Sequence, residues 1–217
     1  MKIDSDLGKD LEQYLLSHSS AEDEILYELN RYTHLTSLQP RMLSGPIQGK
    51  FLQLICEMLK PSRVLEIGTY TGYSAISMAR GLNPGAELHT IEINDEVLET
   101  AKLFVAKANL SSIIQFHLGD ALDIIPKIHG FFDLALIDGD KRQYPQYLHA
   151  VIPRIKVGGI IIADNVLWSG KVLLEKPDDS YTKGVMEFNE IVSANKKLDK
   201  VVLPLRDGLT LIRKIAE

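Results

Sequence analysis

Two short stretches place oxygen-bearing side chains at the ends of apolar runs. Ile137-Asp138-Gly139-Asp140-Lys141 closes one run and Ala163-Asp164-Asn165 closes another. If the two runs are neighbouring strands, Asp138, Asp164 and Asn165 converge with oxygen ligands only. Such a donor set suits a hard cation, Mg²⁺ or another divalent ion such as Mn²⁺, which keeps part of its shell for water or substrate oxygens. Zinc is a poor match, because the six histidines are scattered and there is one cysteine. Asp-Gly and Asp-Asn are also ordinary turn chemistry. Either pair alone therefore says little, and the combination at two strand ends says more. Lys141 stands where a helix should begin. A cation there opposes the helix dipole, which favours a chemical role over a solvated side chain.

A third stretch has the marks of a nucleotide-type site. Val64-Leu65-Glu66-Ile67 runs into Gly68-Thr69-Tyr70-Thr71-Gly72-Tyr73-Ser74. A glycine after a strand lets the backbone turn tightly and approach a ligand. The spacing is Gly-x-x-x-Gly, with Tyr70 where a dinucleotide fingerprint needs its second glycine. Glu66 would repel a pyrophosphate, but it would attract the amino group of a sulfonium amino acid. Glu92, after Thr90-Ile91, is placed to accept the two hydroxyls of a ribose. Gly119-Asp120-Ala121 follows the next apolar run and is placed to meet an adenine. Asp120 reads equally well as a helix N-cap.

These residues need a scaffold that brings strand ends together. Glu87-Leu88-His89-Thr90-Ile91, Ile113-Ile114-Gln115-Phe116, Phe132 to Ile137 and Gly159 to Ala163 read as further strands. Helices are expected near 73–82, 95–108, 121–129 and 142–156. This alternation implies a parallel sheet with helices on both faces. Val201 to Leu205 and Leu209 to Ile212 flank Arg206-Asp207-Gly208, a hairpin signal that reverses the last strand. Ahead of the sheet, Leu7, Leu11, Tyr14 and Leu15 recur at helical spacing. Ser19-Ser20-Ala21-Glu22 reads as a capping box for a second helix through Ile25, Leu26 and Leu29. Pro40 to Pro46 reads as a loop, and a third helix runs from Phe51 to Leu59, stopping before Pro61.

The 217 residues, 45% hydrophobic and 24% charged, suffice for one α/β domain with a sizeable core. A net charge of -5 and the lack of a Lys/Arg cluster argue against nucleic acid as a partner. No run approaches a membrane span, and Met1 to Asp6 has no secretory pattern, so a soluble, cytoplasmic protein is expected. Cys56 reads as a buried small apolar residue rather than a nucleophile.

From about Gln39 to the C-terminus, the motifs resemble the cation-dependent O-methyltransferases of the caffeoyl-CoA and catechol type. The resemblance rests on Val64 to Ser74, Ile91-Glu92, Asp138-x-Asp140-Lys141, Asp164-Asn165-Val166-Leu167-Trp168-x-Gly170 and Asp207-Gly208. It implies a Rossmann-like class I S-adenosylmethionine methyltransferase fold, α/β in class. That fold has a seven-stranded, mostly parallel sheet with an antiparallel C-terminal hairpin strand and extra N-terminal helices. One domain would span 1–217, with 1–60 covering the site and 61–217 forming the cofactor-binding core.

The resemblance also implies roles. Asp138, Asp164 and Asn165 would ligate the metal and Lys141 would be the general base. Met42, Ser44, Glu66, Gly68, Tyr70, Ser74, Glu92, Ala121 and Asp138 would line the S-adenosylmethionine site, to which the reading of the residues themselves adds Gly72, Gly119, Asp120 and Asp140. Trp168 would face a small aromatic diol substrate, and the protein would be a homodimer. One departure stands out: Val201 lies near the point where the catechol enzyme has a glutamate for the second hydroxyl. A metal-independent or RNA-directed methyltransferase is the competing enzymatic reading, and a basic face or an added RNA-binding domain would mark it. A non-catalytic binding protein should lack Lys141 or a metal ligand, and a nicotinamide dehydrogenase should have glycine in place of Tyr70.

Overall fold

The computed structural model describes residues 5–217, with side chains from residue 10 onward. Met1 to Asp4 and the side chain of Leu7 therefore lie outside the described residues. Seven strands form one sheet in the order β3-β2-β1-β4-β5-β7-β6. They are β1 (Arg63–Ile67), β2 (Glu87–Glu92), β3 (Ile114–Leu118), β4 (Phe132–Ile137), β5 (Ile155–Asp164), β6 (Leu198–Leu203) and β7 (Leu209–Lys214). The first five pair in parallel, and β7 runs antiparallel to both β5 and β6. The reversed hairpin strand expected from Asp207-Gly208 is present.

Side chains alternate between two apolar layers, as a parallel sheet covered on both faces requires. Val64, Leu134, Leu136, Ile160 and Ile162 face a layer of α2 (Glu24–Thr36), α3 (Gly45–Leu59), α4 (Tyr73–Arg80) and α5 (Asp95–Lys107). Leu65, Ile67, Ala135, Ile137, Ile161 and Ala163 face α6 (Ala121–Ile124), α7 (Tyr144–Val151) and α8 (Ser180–Ala194). The chain reverses its direction of travel across the sheet between β1 and β4. Ligands of open α/β sheets bind at such a switch point, outside the strand carboxyl ends. No helix among the described residues is long and apolar enough to cross a membrane.

Several expected elements are revised. The capping box does not form: α2 begins at Glu24, and Asp23 caps it by accepting from the backbone N–H groups of Ile25 and Leu26. Glu22 instead accepts the Tyr73 hydroxyl at 2.5 Å. The 40–46 loop contains a 3₁₀ turn at Pro40–Met42, and α3 starts at Gly45. The expected 121–129 helix is a single turn, because Pro126 cannot donate to a continuing helix and the chain tightens into a 3₁₀ turn. The 142–156 helix ends at Val151, and β5 already starts at Ile155. Helix α1 (Ser5–Ser17) forms, but Leu11, Tyr14 and Leu15 on it stay exposed. Helix α8 was not foreseen. Its N-cap is Asp179, which accepts from Thr182, and it buries Val185, Phe188 and Val192. Cys56 is fully buried, and desolvation pushes its thiol up to about 12, which suits an inert core residue.

Candidate active site

Strand register sets the site. Ile67 is level with Ile137, and Ile137 with Ala163. The next residues, Gly68, Asp138 and Asp164, therefore emerge side by side from β1, β4 and β5. Gly68 has φ 97°, and a Cβ there would overlap the Asp138 carbonyl. Only glycine lets these two strand exits lie so close. Gly72, at φ 91°, then caps α4.

On the β1–β2 side, two carboxylates line the switch point. Glu66 is fully buried, and its Oε2 accepts the Thr90 hydroxyl at 2.5 Å. Its Oε1 has no partner. Burial, opposed by the nearby hydroxyls of Ser74 and Thr90, raises the carboxyl to about 8. A buried acceptor left without a donor is expensive, so this oxygen is suited to an incoming donor, above all a cationic one. Glu92 is held differently: its carboxylate accepts the backbone N–H groups of Tyr70 at 2.8 Å and of Ile93 and Asn94 at 3.0 Å each.

Around these two acids, Ser74 is buried in the first turn of α4 and Ala121 in α6. Gly119, at φ 136°, donates its N–H to the Glu92 carbonyl. Asp120 caps α6 by accepting from Leu122 at 2.8 Å. Asp140 caps the turn Lys141–Gln143 and pairs with Arg142, which holds its carboxyl below the usual range. Tyr70 is left-handed at φ 49°, and its hydroxyl donates to the Gln39 carbonyl at 3.1 Å. Ser44 is buried just before α3, and Met42 is half-exposed in the neighbouring 3₁₀ turn.

The β4–β5 side is a charged cluster under cover. Lys141 opens its 3₁₀ turn, but the side chain folds inward and only 7% of the residue is exposed. Its Nζ donates to Asp138 Oδ1 at 2.8 Å and to the Tyr144 hydroxyl at 2.6 Å. That hydroxyl in turn shares its proton between the carbonyls of Asp164 at 2.9 Å and Ile137 at 3.2 Å. Asp164 is 2% exposed. Burial and then the Asp138 charge push its carboxyl upward. Its Oδ1 accepts the Asn165 N–H and its Oδ2 the Gln48 amide, both at 2.7 Å. Asn165 is left-handed at φ 56°, as are Trp168 and Ser169 beyond it. Trp168 stacks on Tyr181 with centroids 6.3 Å apart, and its indole N–H is buried without a partner.

A divalent cation fits this cluster. Two carboxylates share the single positive charge of Lys141, and the buried member is disfavoured as an anion. Asp138, Asp164 and Asn165 are the residues that would hold it. Among the described residues, no group of three His, Cys, Asp or Glu side chains is arranged so that it could by itself hold a metal ion. A metal here would draw its remaining ligands from the Asn165 amide, water and substrate, in the manner of Mg²⁺.

A family model described as O-methyltransferase matches residues 16–215. The chain belongs to the O-methyltransferase family. It is 34% identical to a caffeoyl-CoA O-methyltransferase of Mesembryanthemum crystallinum, across 94% of this chain and 85% of that one. It is 35% identical to a catechol O-methyltransferase of Niastella koreensis, across 79% of this chain and 82% of that one. Among solved structures it resembles the O-methyltransferase TomG from Streptomyces achromogenes, which was determined in complex with SAM. That likeness has a TM-score of 0.89 at 29% identity, over 95% of this chain and 96% of that one.

Three residues at this candidate site were given no site role by the sequence, Arg206 being read there only as part of a hairpin turn. Tyr144 follows Lys141 by one turn, a spacing that places two side chains together on a helix, and it could have been read. Gln48 reaches Asp164 from 116 residues away, and no local signal points to it. Arg206, in the β6–β7 turn, reaches Gln48 from 158 residues away and is equally unannounced.

Proposed function

We propose that this O-methyltransferase moves the methyl group of S-adenosylmethionine to a hydroxyl of a catechol-like small aromatic, with a divalent cation, Mg²⁺ or Mn²⁺, at Asp138, Asp164 and Asn165. The observation that carries the metal reading is the buried Asp164 beside the partly buried Asp138, with Lys141 to balance the two charges. The unpartnered Oε1 of Glu66 supports the cofactor reading, since the amino group of the methionine end supplies the donor that oxygen lacks.

Bound S-adenosylmethionine brings the methyl group on a sulfonium leaving group. A divalent cation held by Asp138, Asp164 and Asn165 would supply Lewis-acid polarisation of the substrate hydroxyl. The protein's own part is arrangement and proton handling. Glu66 holds the methionine amino group, and Glu92 receives the ribose hydroxyls while its carboxylate is fixed by three backbone donors. Lys141 in its neutral form takes the proton of the attacking hydroxyl, or as the ammonium it stabilises the phenolate, and Tyr144 fixes where its Nζ points. The Trp168–Tyr181 stack offers a flat wall to an aromatic ring. Alignment of oxygen and methyl carbon can supply about 7–11 kcal/mol at best.

The test is methyl transfer from labelled S-adenosylmethionine to a catechol panel that includes caffeoyl-CoA, with Mg²⁺ or with EDTA. Transfer should need Mg²⁺ and vanish in Asp138→Ala. Transfer that survives EDTA would favour the metal-independent reading. We also propose a homodimer, supported by apolar side chains left exposed on α3 (Leu54, Met58, Leu59) and on the edge strand β6 (Val201, Val202). Light scattering behind size-exclusion chromatography distinguishes it from a monomer.

A further inference from the structure

Arg206 lies in the turn between β6 and β7 with φ 51°, in the left-handed region where glycine is the low-cost residue. A side chain retained there must be offset by its contacts. Its guanidinium provides three. Nη1 donates to the carbonyl of Ser44 and to Gln48 Oε1 at 3.3 Å, and Nη2 donates to the Arg41 carbonyl at 3.4 Å. The turn is thereby tied to the segment before α3.

The contact with Gln48 has a second effect. An amide presents oxygen on one side and N–H on the other, and its neighbours decide which way it points. With the guanidinium facing Oε1, Nε2 must face Asp164, and it donates to Oδ2 at 2.7 Å. Gln48 is 1% exposed, so water offers it no alternative. Each Asp164 oxygen then has one donor, Gln48 on Oδ2 and the Asn165 N–H on Oδ1, and retains a lone pair for a cation. Tyr70 holds the other end of the same segment through the Gln39 carbonyl. Residues 39–44 are thus fastened at two points, and the Arg206 point is continuous with the metal site.

We propose that Arg206 and Gln48 are positioning residues. Arg206 clasps residues 41–44 to the hairpin turn and orients Gln48, and Gln48 holds Asp164 in the orientation that binds the divalent cation. The inference rests on the metal reading given above.

The experiment measures Mn²⁺ affinity by the electron paramagnetic resonance of the free ion, together with amide hydrogen exchange at residues 41–44. Gln48→Leu should weaken Mn²⁺ binding by about 10–100-fold, the usual effect of losing a group that orients a metal ligand. Arg206→Gly removes the clasp while relieving the backbone. It should cost part of that factor and speed exchange at 41–44, and Arg206→Lys should recover part of both. In the Gln48→Leu background, Arg206→Gly should leave Mn²⁺ affinity unchanged yet still speed exchange, because its effect on the metal passes through the amide. Additive losses, or an Arg206→Gly enzyme with wild-type Mn²⁺ affinity, would overturn the clasp and leave the metal reading standing. Wild-type enzyme that binds S-adenosylhomocysteine but no Mn²⁺ would overturn both. If Gln48→Leu does not fold, the Arg206→Gly and Arg206→Lys pair decides.

Discussion

The two halves of the site are built on opposite principles. At the β1–β2 ends, backbone holds Glu92, which is gripped by three N–H groups from Tyr70, Ile93 and Asn94, while Glu66 takes the Thr90 hydroxyl of the neighbouring strand. At the β4–β5 ends, side chains do most of the holding: Lys141 pairs with Asp138 three residues before it, Tyr144 bridges the two strands, and Gln48 reaches Asp164 from a helix far away in the chain. Backbone donors at neighbouring strand ends are set once β1 and β2 pair. Groups held from afar need the whole fold before they point anywhere. Substitutions on the β4–β5 side should therefore impair chemistry more than cofactor binding, and those on the β1–β2 side the reverse.

Lys141→Ala gives the largest expected split. Removing the proton acceptor should lower kcat by about 10²–10⁴-fold, the range for general acid–base groups. The affinity for S-adenosylhomocysteine, measured calorimetrically, should hardly change. Equal losses in both would erase the distinction between the halves.

Next in size is Glu66→Gln, the converse case. Gln keeps the shape and loses the charge that meets the methionine amino group. The Kd of S-adenosylhomocysteine should rise by roughly 10–100-fold, since a hydrogen bond between charged groups contributes about 1.5–3 kcal/mol. With saturating cofactor, kcat should stay near wild type. A fall in kcat with unchanged affinity would place Glu66 in the chemistry instead.

Tyr144→Phe sharpens the comparison from the other side. The phenol accepts from Lys141 Nζ and donates to carbonyls on two strands, so its loss frees the lysine and leaves those acceptors short. Turnover should fall roughly tenfold, at the low end for a hydrogen bond to a charged group, with cofactor affinity unchanged in the same titration. An unaltered kcat would show that Lys141 needs no orientation beyond its pair with Asp138.

The same contrast explains what the sequence made legible. Glu66, Gly68, Tyr70, Gly72 and Ser74 form one contiguous loop, and the strands before and after it follow from alternation of short apolar and longer amphipathic runs. Asp138 and Asp164 could be paired because β4 and β5 follow one another with a helix between. Gln48, on a helix that precedes the whole sheet, could not be paired by any local rule. Helix α2 was assigned the wrong cap because Ser19-x-x-Glu22 and Asp23 are both legitimate starts, and packing chose between them: Glu22 is engaged by Tyr73, and Asp23 by Arg80. Helix α8 was legible and went unread, since Val185, Phe188 and Val192 recur at helical spacing behind Asp179.

The smallest expected effect is a pH dependence, and on the β1–β2 side it belongs to Glu66. Burial raises the Glu66 carboxyl to about 8, so it is mostly protonated at pH 7 in the free enzyme. A group raised in the folded state contributes stability that is present at low pH and lost as pH rises through the folded value. Wild-type enzyme without ligands should therefore lose thermal stability from about pH 4.5 to about 8, and Glu66→Gln should lose less, keeping only the share that the raised Asp164 carboxyl contributes. A bound ammonium reverses the preference by stabilising the carboxylate, so cofactor binding at pH 7 should release a proton. Calorimetry in buffers of different ionisation enthalpy reads that proton directly. The affinity of S-adenosylhomocysteine should rise with pH by at most about tenfold per unit and level off above about 8, the limit for one linked proton. Proton uptake on binding, or the same slope in Glu66→Gln, would assign the titration to another group and leave the unpartnered Oε1 without a cation to meet.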